Sequence, residues 1–244
     1  MRWTDGRVAI DDSVAMPNPV TGKALENSYW ADIETLTFGL VRATDNSLHL
    51  GPFELIRFGR PKVTRTSVQW PIEGGLLTRA RGGHLRIEAQ YGRLIASVNG
   101  YQPMLPRFLY VLAQVPVHHL WTRLHLLRVR GRLPATGVPA DPSRRLAAAA
   151  IDVGFCLSVA GILGRRRRIQ FLVGVAACYH VACWRFSGRT LGGAVMKQRV
   201  VSVDGSGLSV GQAVARLVSL PLAVMRWGNI HDEVAGTDVV ADTL

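Results

Sequence analysis

A carboxylate inside an apolar run is the residue of this 244-residue chain best placed to do unusual chemistry. Asp152 stands in Leu146 to Gly164, where every other residue except Ser158 is apolar or glycine. Seven positions earlier, at the entrance of the run, is Arg145. On a helix that spacing is nearly two turns, so both side chains point to one side, roughly 10 Å apart along the axis. A carboxylate in hydrocarbon must be paired, hydrogen-bonded or protonated. Arg145, or Arg216 in a later apolar stretch, is the expected partner. His180, in the second apolar run, could bond a neighbouring helix or relay a proton. His118, His119 and His125 lie beside Trp121. With no carboxylate or cysteine close in sequence, they suit the polar face of a helix better than a metal site or a pH sensor. The three cysteines, Cys156, Cys178 and Cys183, all fall in apolar stretches and read as small packing residues, not a disulfide framework or a metal site. No Ser, His and Asp set or paired carboxylates stand out, so nothing points to an enzyme, a cofactor or a metal.

The elements that must hold these residues follow from hydrophobic patterning. Leu146 to Gly164 is close to the ~20 residues that cross a bilayer as a helix. Ile169 to Trp184 is shorter and would span with snorkelling arginines. A third stretch, Leu208 to Trp227, carries Arg216 at its centre and Pro221 just beyond. It is expected to be a third crossing, with an interfacial or re-entrant helix as the alternative, because a lone arginine at mid-bilayer is costly. The predicted helices are 146–164, 169–187 and 208–227.

The first half has a different texture. Segments such as Ala31 to Ala43, Phe53 to Phe58, Lys62 to Pro71, Gly83 to Gln90 and Leu94 to Val98 look like strands, punctuated by Gly, Pro, Asn and Asp. From Leu105 to Leu127 apolar residues recur at helical spacing, which predicts an amphipathic helix broken or kinked at Pro116, lying on a sheet or a membrane surface. Gly131 to Pro142 has linker composition. The predicted fold class is therefore α+β: a β-rich domain over 1–132 with an amphipathic helix, a linker over 133–143, and an all-α membrane domain over 144–244 with two or three transmembrane helices.

A net charge of +12 would suggest nucleic acid in a soluble protein. Here the arginines flank apolar runs, at Arg128, Arg130, Arg132, Arg144, Arg145, Arg165 to Arg168, Arg185 and Arg189, and lack interleaved aromatics. They fit topology setting and contact with anionic lipid headgroups, and nucleic acid is not expected. The N-terminus has no basic segment leading into an apolar one, so no secretory signal is read and the first domain is placed in the cytoplasm. Arg165 to Arg168 would then lie outside, against the positive-inside tendency, unless a tight hairpin keeps both ends near one leaflet. Arginine-heavy, lysine-poor usage suggests a GC-rich bacterial genome, hence a bacterial plasma membrane.

Arg145 and Asp152 resemble the first signature of the RDD family of membrane proteins. Gly188-Arg-Thr190-Leu191-Gly192, running on to Arg199-Val200-Val201 and Asp204-Gly205, is similar to that family's loop after its second membrane helix. Gln212 and Arg216 match the start of its next helix. His231-Asp232-Glu-Val-Ala235-Gly236-Thr237 resembles its closing segment, with the second aspartate at Asp232. The resemblance covers roughly Pro142 to Val240. It departs at Gly193, where a basic residue is common, and in the short interval between Arg216 and Asp232, which holds one crossing at most. It implies a polar constellation of Arg145, Asp152, Arg216 and Asp232, a loop motif of Gly188, Thr190, Gly192 and Arg199, and ion or small-solute transport by an oligomer or larger complex. The alternative is an anchor or accessory subunit whose N-terminal domain binds a protein or lipid partner. Read from its own residues, Gly188 to Gly205 is a surface loop on the inner leaflet, with a short strand at Val200 to Val203 and an Asp-Gly turn.

Overall fold

A computed structural model describes residues 1–44, 46–163, 168–226 and 229–242; within these ranges the side chains of residues 163, 168 and 222–226 are not described. The chain divides into two compact units, Met1–Gly131 and Arg132–Leu244.

The first unit is a large antiparallel sheet with helices. In chain order it contains β1 (Arg2–Thr4), β2 (Arg7–Ala15), α1 (Gly22–Leu36), β3 (Val41–Thr44), β4 (Ser47–Leu50), β5 (Phe53–Phe58), β6 (Lys62–Val63), β7 (Ser67–Gly74), β8 (His84–Gln90) and β9 (Arg93–Tyr101). A helical segment then runs through α2 (Arg107–Leu109), a π-helical turn (Tyr110–Gln114) and α3 (Val115–Arg130). The sheet order is β1-β2-β9-β8-β7-β5-β4-β3, with β6 on β7. Alternation along the central strands sends one face inward: Val8, Ile10 and Val14 on β2, Val68, Trp70 and Ile72 on β7, Leu85 and Ile87 on β8, Leu94, Ala96 and Val98 on β9. The helices α1 and α3 pack against this sheet and each other.

One strand expectation is overturned. Ala31 to Ala43 is not one strand: Ala31 to Leu36 is the C-terminal part of α1, a turn follows, and only Val41 to Ala43 lie in β3. The Thr21 hydroxyl caps that helix by accepting from the Ala24 amide at 3.2 Å. Leu25, Asp32 and Ile33 then recur on its buried face. Thr35 and Thr37, which look β-prone, send their hydroxyls back to the carbonyls of Ala31 and Ile33 at 2.8 Å. Tertiary packing of the 25/33 face outweighs the local preference of β-branched residues.

The break expected at Pro116 is absent. The helical path is not interrupted, since Gln114 and Val115 stay right-handed; the proline falls at the start of α3, directly after a widened π turn that accommodates it. Two carboxylates remote in sequence then meet the histidines of α3. His119 Nδ1 is 2.8 Å from Asp12 on β2, and buried His125 Nδ1 is 2.7 Å from Asp32 on α1. The helix is thus fastened to strand and helix by polar pairs as well as by Leu124, Leu126 and Leu127. No group of three or more metal-binding side chains occurs among the described residues.

The second unit comprises α4 (Pro142–Leu163), α5 (Arg168–Phe186), α6 (Leu191–Val195), β10 (Gln198–Ser202), α7 (Val210–Arg226), α8 (Ile230–Ala235) and β11 (Thr237–Ala241). It is not all-α. The strands β10 and β11 pair antiparallel, Val200 opposite Val239. Val138 to Ala140, in the expected linker, runs alongside β11: Ala140 N–H donates to the Val239 carbonyl and Ala241 N–H to that of Val138, both at 2.9 Å. The linker composition is real, but edge pairing with β11 holds those residues to this unit.

Among the described residues, two helices are long and apolar enough to cross a membrane, over Pro142–Ile162 and Ile169–Phe186. The third apolar stretch becomes α7, 17 residues long with Pro221 inside it. Among its described side chains Gln212, Arg216 and Ser219 are buried polar residues, and Ala213 beside them packs on Trp184 and Leu208. The four-arginine run Arg165 to Arg168 and Trp227 lie at positions whose side chains are outside the described residues.

Candidate functional site

Three short-range decisions assemble the polar site of the second unit. Asp141 starts α4 by accepting from the Ser143 amide at 2.8 Å, which places Arg145 in the first turn. The helix α8 ends at Gly236 in the left-handed conformation, a geometry glycine adopts without penalty. That turn sets Asp232 on α8 beside Thr237 at the start of β11. Gln212, fully buried one turn before Arg216, ties α7 to its neighbours: its Nε2 donates to Ser202 Oγ and to the Ala235 carbonyl, each at 3.1 Å.

Asp232 is the hub. Its Oδ1 accepts from Arg216 and from the Thr237 hydroxyl at 2.9 Å, and its Oδ2 accepts from Arg145. Arg216 also donates to Thr237 Oγ1 at 2.7 Å. The Arg216 guanidinium lies 5.1 Å from the centre of the Trp184 ring, so an aromatic face from α5 covers the buried cation. His231 Nε2 is 3.4 Å from Asp232 Oδ2.

Burial by itself would raise the Asp232 carboxyl; Arg216, His231 and Arg145 outweigh it and hold the group below its ordinary 3.8. For His231, burial first and Arg216 next push the imidazole down to about 4, so it is neutral at pH 7. Two arginines therefore face one carboxylate. Arg216 Nε and His231 Nδ1 are buried without a hydrogen-bond partner.

Asp152 does not take an arginine, contrary to the expectation from spacing. Both candidate arginines are engaged by Asp232. Asp152 Oδ1 instead accepts from the Tyr179 hydroxyl at 2.7 Å and from the Gly192 amide at 2.8 Å. The same Tyr179 oxygen accepts from the Leu191 amide at 2.6 Å. One carboxylate thereby joins α4, α5 and the start of α6, satisfying backbone donors that would otherwise be orphaned.

The loop motif turns out to be mostly a cap. Thr190 opens α6 and its hydroxyl accepts from the Gly193 amide at 3.0 Å. Gly192 is packed so closely on α4 that an added Cβ would lie 2.0 Å from the Ala148 carbonyl oxygen. Gly188, at φ +70°, lets its carbonyl accept from the Val200 amide at 2.7 Å. Arg199 is exposed, with its Nε 3.8 Å from Asp242, and takes no part in the hub. His180 bonds its own helix, Nδ1 to the Ala176 carbonyl at 2.8 Å, where a neighbouring helix was expected.

The fold thus brings together Arg145, Arg216 and Asp232, and leaves Asp152, His180 and Arg199 elsewhere. Tyr179, Trp184 and Thr237 were missed as members of the site. The only available signal for Tyr179 was a phenol inside an apolar run, where its hydroxyl needs a partner. No family model matches the chain, and neither a curated protein nor a solved structure shows significant similarity to it.

Proposed function

We propose that this chain is an integral membrane protein of RDD type, anchored by α4 and α5, in which the Asp232 hub and the Asp152 node lock the helices and tether the N-terminal unit to the membrane. The observation that carries this is uncovered apolar surface. The two apolar windows are only 22% and 6% buried, whereas a core helix of a soluble protein is mostly enclosed. Leu146, Val153, Leu157 and Ile162 on α4, and Ile169, Val173 and Phe186 on α5, are exposed. Hydrocarbon is the solvent that such a surface fits.

Every residue that carries the family resemblance in the two nodes has a partner within the fold, as intramembrane or interfacial charges require. Basic residues at the start of α4 (Arg144, Arg145) and after α5 (Arg189, Lys197, Arg199) suit an anionic inner leaflet of a bacterial plasma membrane, with the first unit cytoplasmic. Sodium carbonate washing of membranes from expressing cells should leave the chain in the pellet, and detergent should release it. Recovery in the carbonate supernatant would overturn the proposal. For sidedness, Tyr91→Cys in a background with Cys156, Cys178 and Cys183 replaced by alanine should resist an impermeant maleimide in intact cells and react after lysis.

A second function, ion or small-solute transport by an oligomer or larger complex, is favoured by the surplus positive charge at the hub and the unpartnered Arg216 Nε. In that case Asp152→Asn would abolish flux while leaving fold and assembly intact. In an anchor, the same change weakens assembly and no flux is seen in either form.

A further inference from the structure

The first unit contains an apolar cavity of about 240 Å³ between its sheet and its helices. The floor is made by Leu85 and Val98 of the central strands, and the walls by Ile33 of α1, Thr37 just after that helix, Leu48 of β4 and Trp121 of α3. Among the lining residues there is no Asp, Glu, Lys or Arg. The cavity exceeds the ~150 Å³ that holds a benzene and falls short of the ~300 Å³ at which sites for drug-sized ligands begin. It suits one hydrocarbon chain or a small terpenoid group, not a whole phospholipid.

Its polar groups are few and converge. Gln114, the last residue of the π turn, donates from Nε2 to the Tyr101 hydroxyl at 3.2 Å, and that hydroxyl donates to the Leu77 carbonyl. This leaves Gln114 Oε1 buried with no partner, an acceptor looking for a donor. Burial and neighbouring His119 push His118 down to about 4, so it adds no charge at neutral pH. π turns recur at functional sites because they re-aim side chains. Val117 lines the cavity and is itself exposed, which makes the mouth apolar at that point.

We infer that this cavity binds a neutral medium-length aliphatic or isoprenoid chain ending in one hydrogen-bond donor, the donor meeting Gln114 Oε1. A charged headgroup would lose its hydration with no counter-charge among the lining residues, so a carboxylate is selected against. The membrane proposal enters only as the source of such a ligand; the cavity itself needs no membrane.

The test uses the full chain in lipid nanodiscs and a diazirine analogue of decan-1-ol, with cross-linked peptides identified by mass spectrometry. Labels are expected on peptides spanning 110–122 and 72–85, lost in competition with decan-1-ol at concentrations where decanoate at pH 8 is about tenfold less effective. Val117→Trp at the mouth and Val41→Phe in the wall should each remove these labels while leaving the thermal unfolding of the first unit intact. Gln114→Leu should equalise competition by decan-1-ol and decane. Unsaturable labelling, or equal competition by decanoate, overturns the inference, as does labelling that survives both cavity variants. Labels on α4 and α5 report lipid contact separately: their absence with cavity labelling intact would count against the membrane anchor alone.

Discussion

Replacing Asp232 with asparagine removes the carboxylate charge paired with Arg145 and Arg216 while keeping an oxygen that can still accept from Arg216 and Thr237. The Arg216 and Asp232 side chains are only 6% and 5% exposed, so water cannot take over the stranded cation. Deleting one partner of a buried pair costs about 3–5 kcal/mol. The retained hydrogen bonds return about 1 kcal/mol. Arg145, 23% exposed, adds little because water solvates part of its guanidinium. The expected loss is about 2–4 kcal/mol, read as a shift in the dodecyl sulfate titration of purified protein in mixed micelles. Asp232→Leu combined with Arg216→Met removes the buried pair together and should recover much of that loss, since an apolar replacement of a buried ion pair is often neutral. A loss below about 0.5 kcal/mol for Asp232→Asn, the range of ordinary surface substitutions, would refute the claim that this carboxylate is the hub.

Other outcomes follow from the same geometry. Because the folded His231 titrates near 4 and the unfolded one near 6.5, the unfolded state takes up the proton first as pH falls. Stability of the second unit should therefore be full above about pH 6.5 and erode toward pH 4, by at most about 3 kcal/mol, and His231→Gln should flatten that slope in pH-dependent unfolding. Asp232 works at lower pH: its depressed carboxyl keeps its contribution until the pH falls below the ordinary 3.8. Tyr179→Phe should cost about 1–3 kcal/mol in the same titration, because it strips a donor from buried Asp152 and an acceptor from the Leu191 amide. Gly192→Ala should be more damaging than either, as the new methyl meets the α4 backbone at Ala148, and a protease-resistant yield equal to the parent would contradict the close approach.

The sequence by itself determined what periodicity and composition can carry. Long uncharged runs specified two apolar helices near 146–164 and 169–187, alternation specified several strands of the first unit, and Gly and Pro marked where regular structure ends. It also singled out Asp152 and Arg216 as charges in need of company, with Arg145 as a candidate partner, whereas Asp232 entered only through the family resemblance. Only the tertiary structure decided who partners whom. Asp152 and Arg145 share a helix face, yet one carboxylate on α8, 87 residues away, claims the arginine, and a phenol and an amide satisfy the aspartate. Ala31 to Leu36 became helix because burying Leu25 and Ile33 against a sheet outweighs local preference, leaving only Val41 to Ala43 of the expected strand, and Val138 to Ala140 left the linker because β11 offered an edge. The cavity of the first unit belongs wholly to this second kind of knowledge, since a void is a property of packed volumes drawn from the whole unit and no local pattern encodes it.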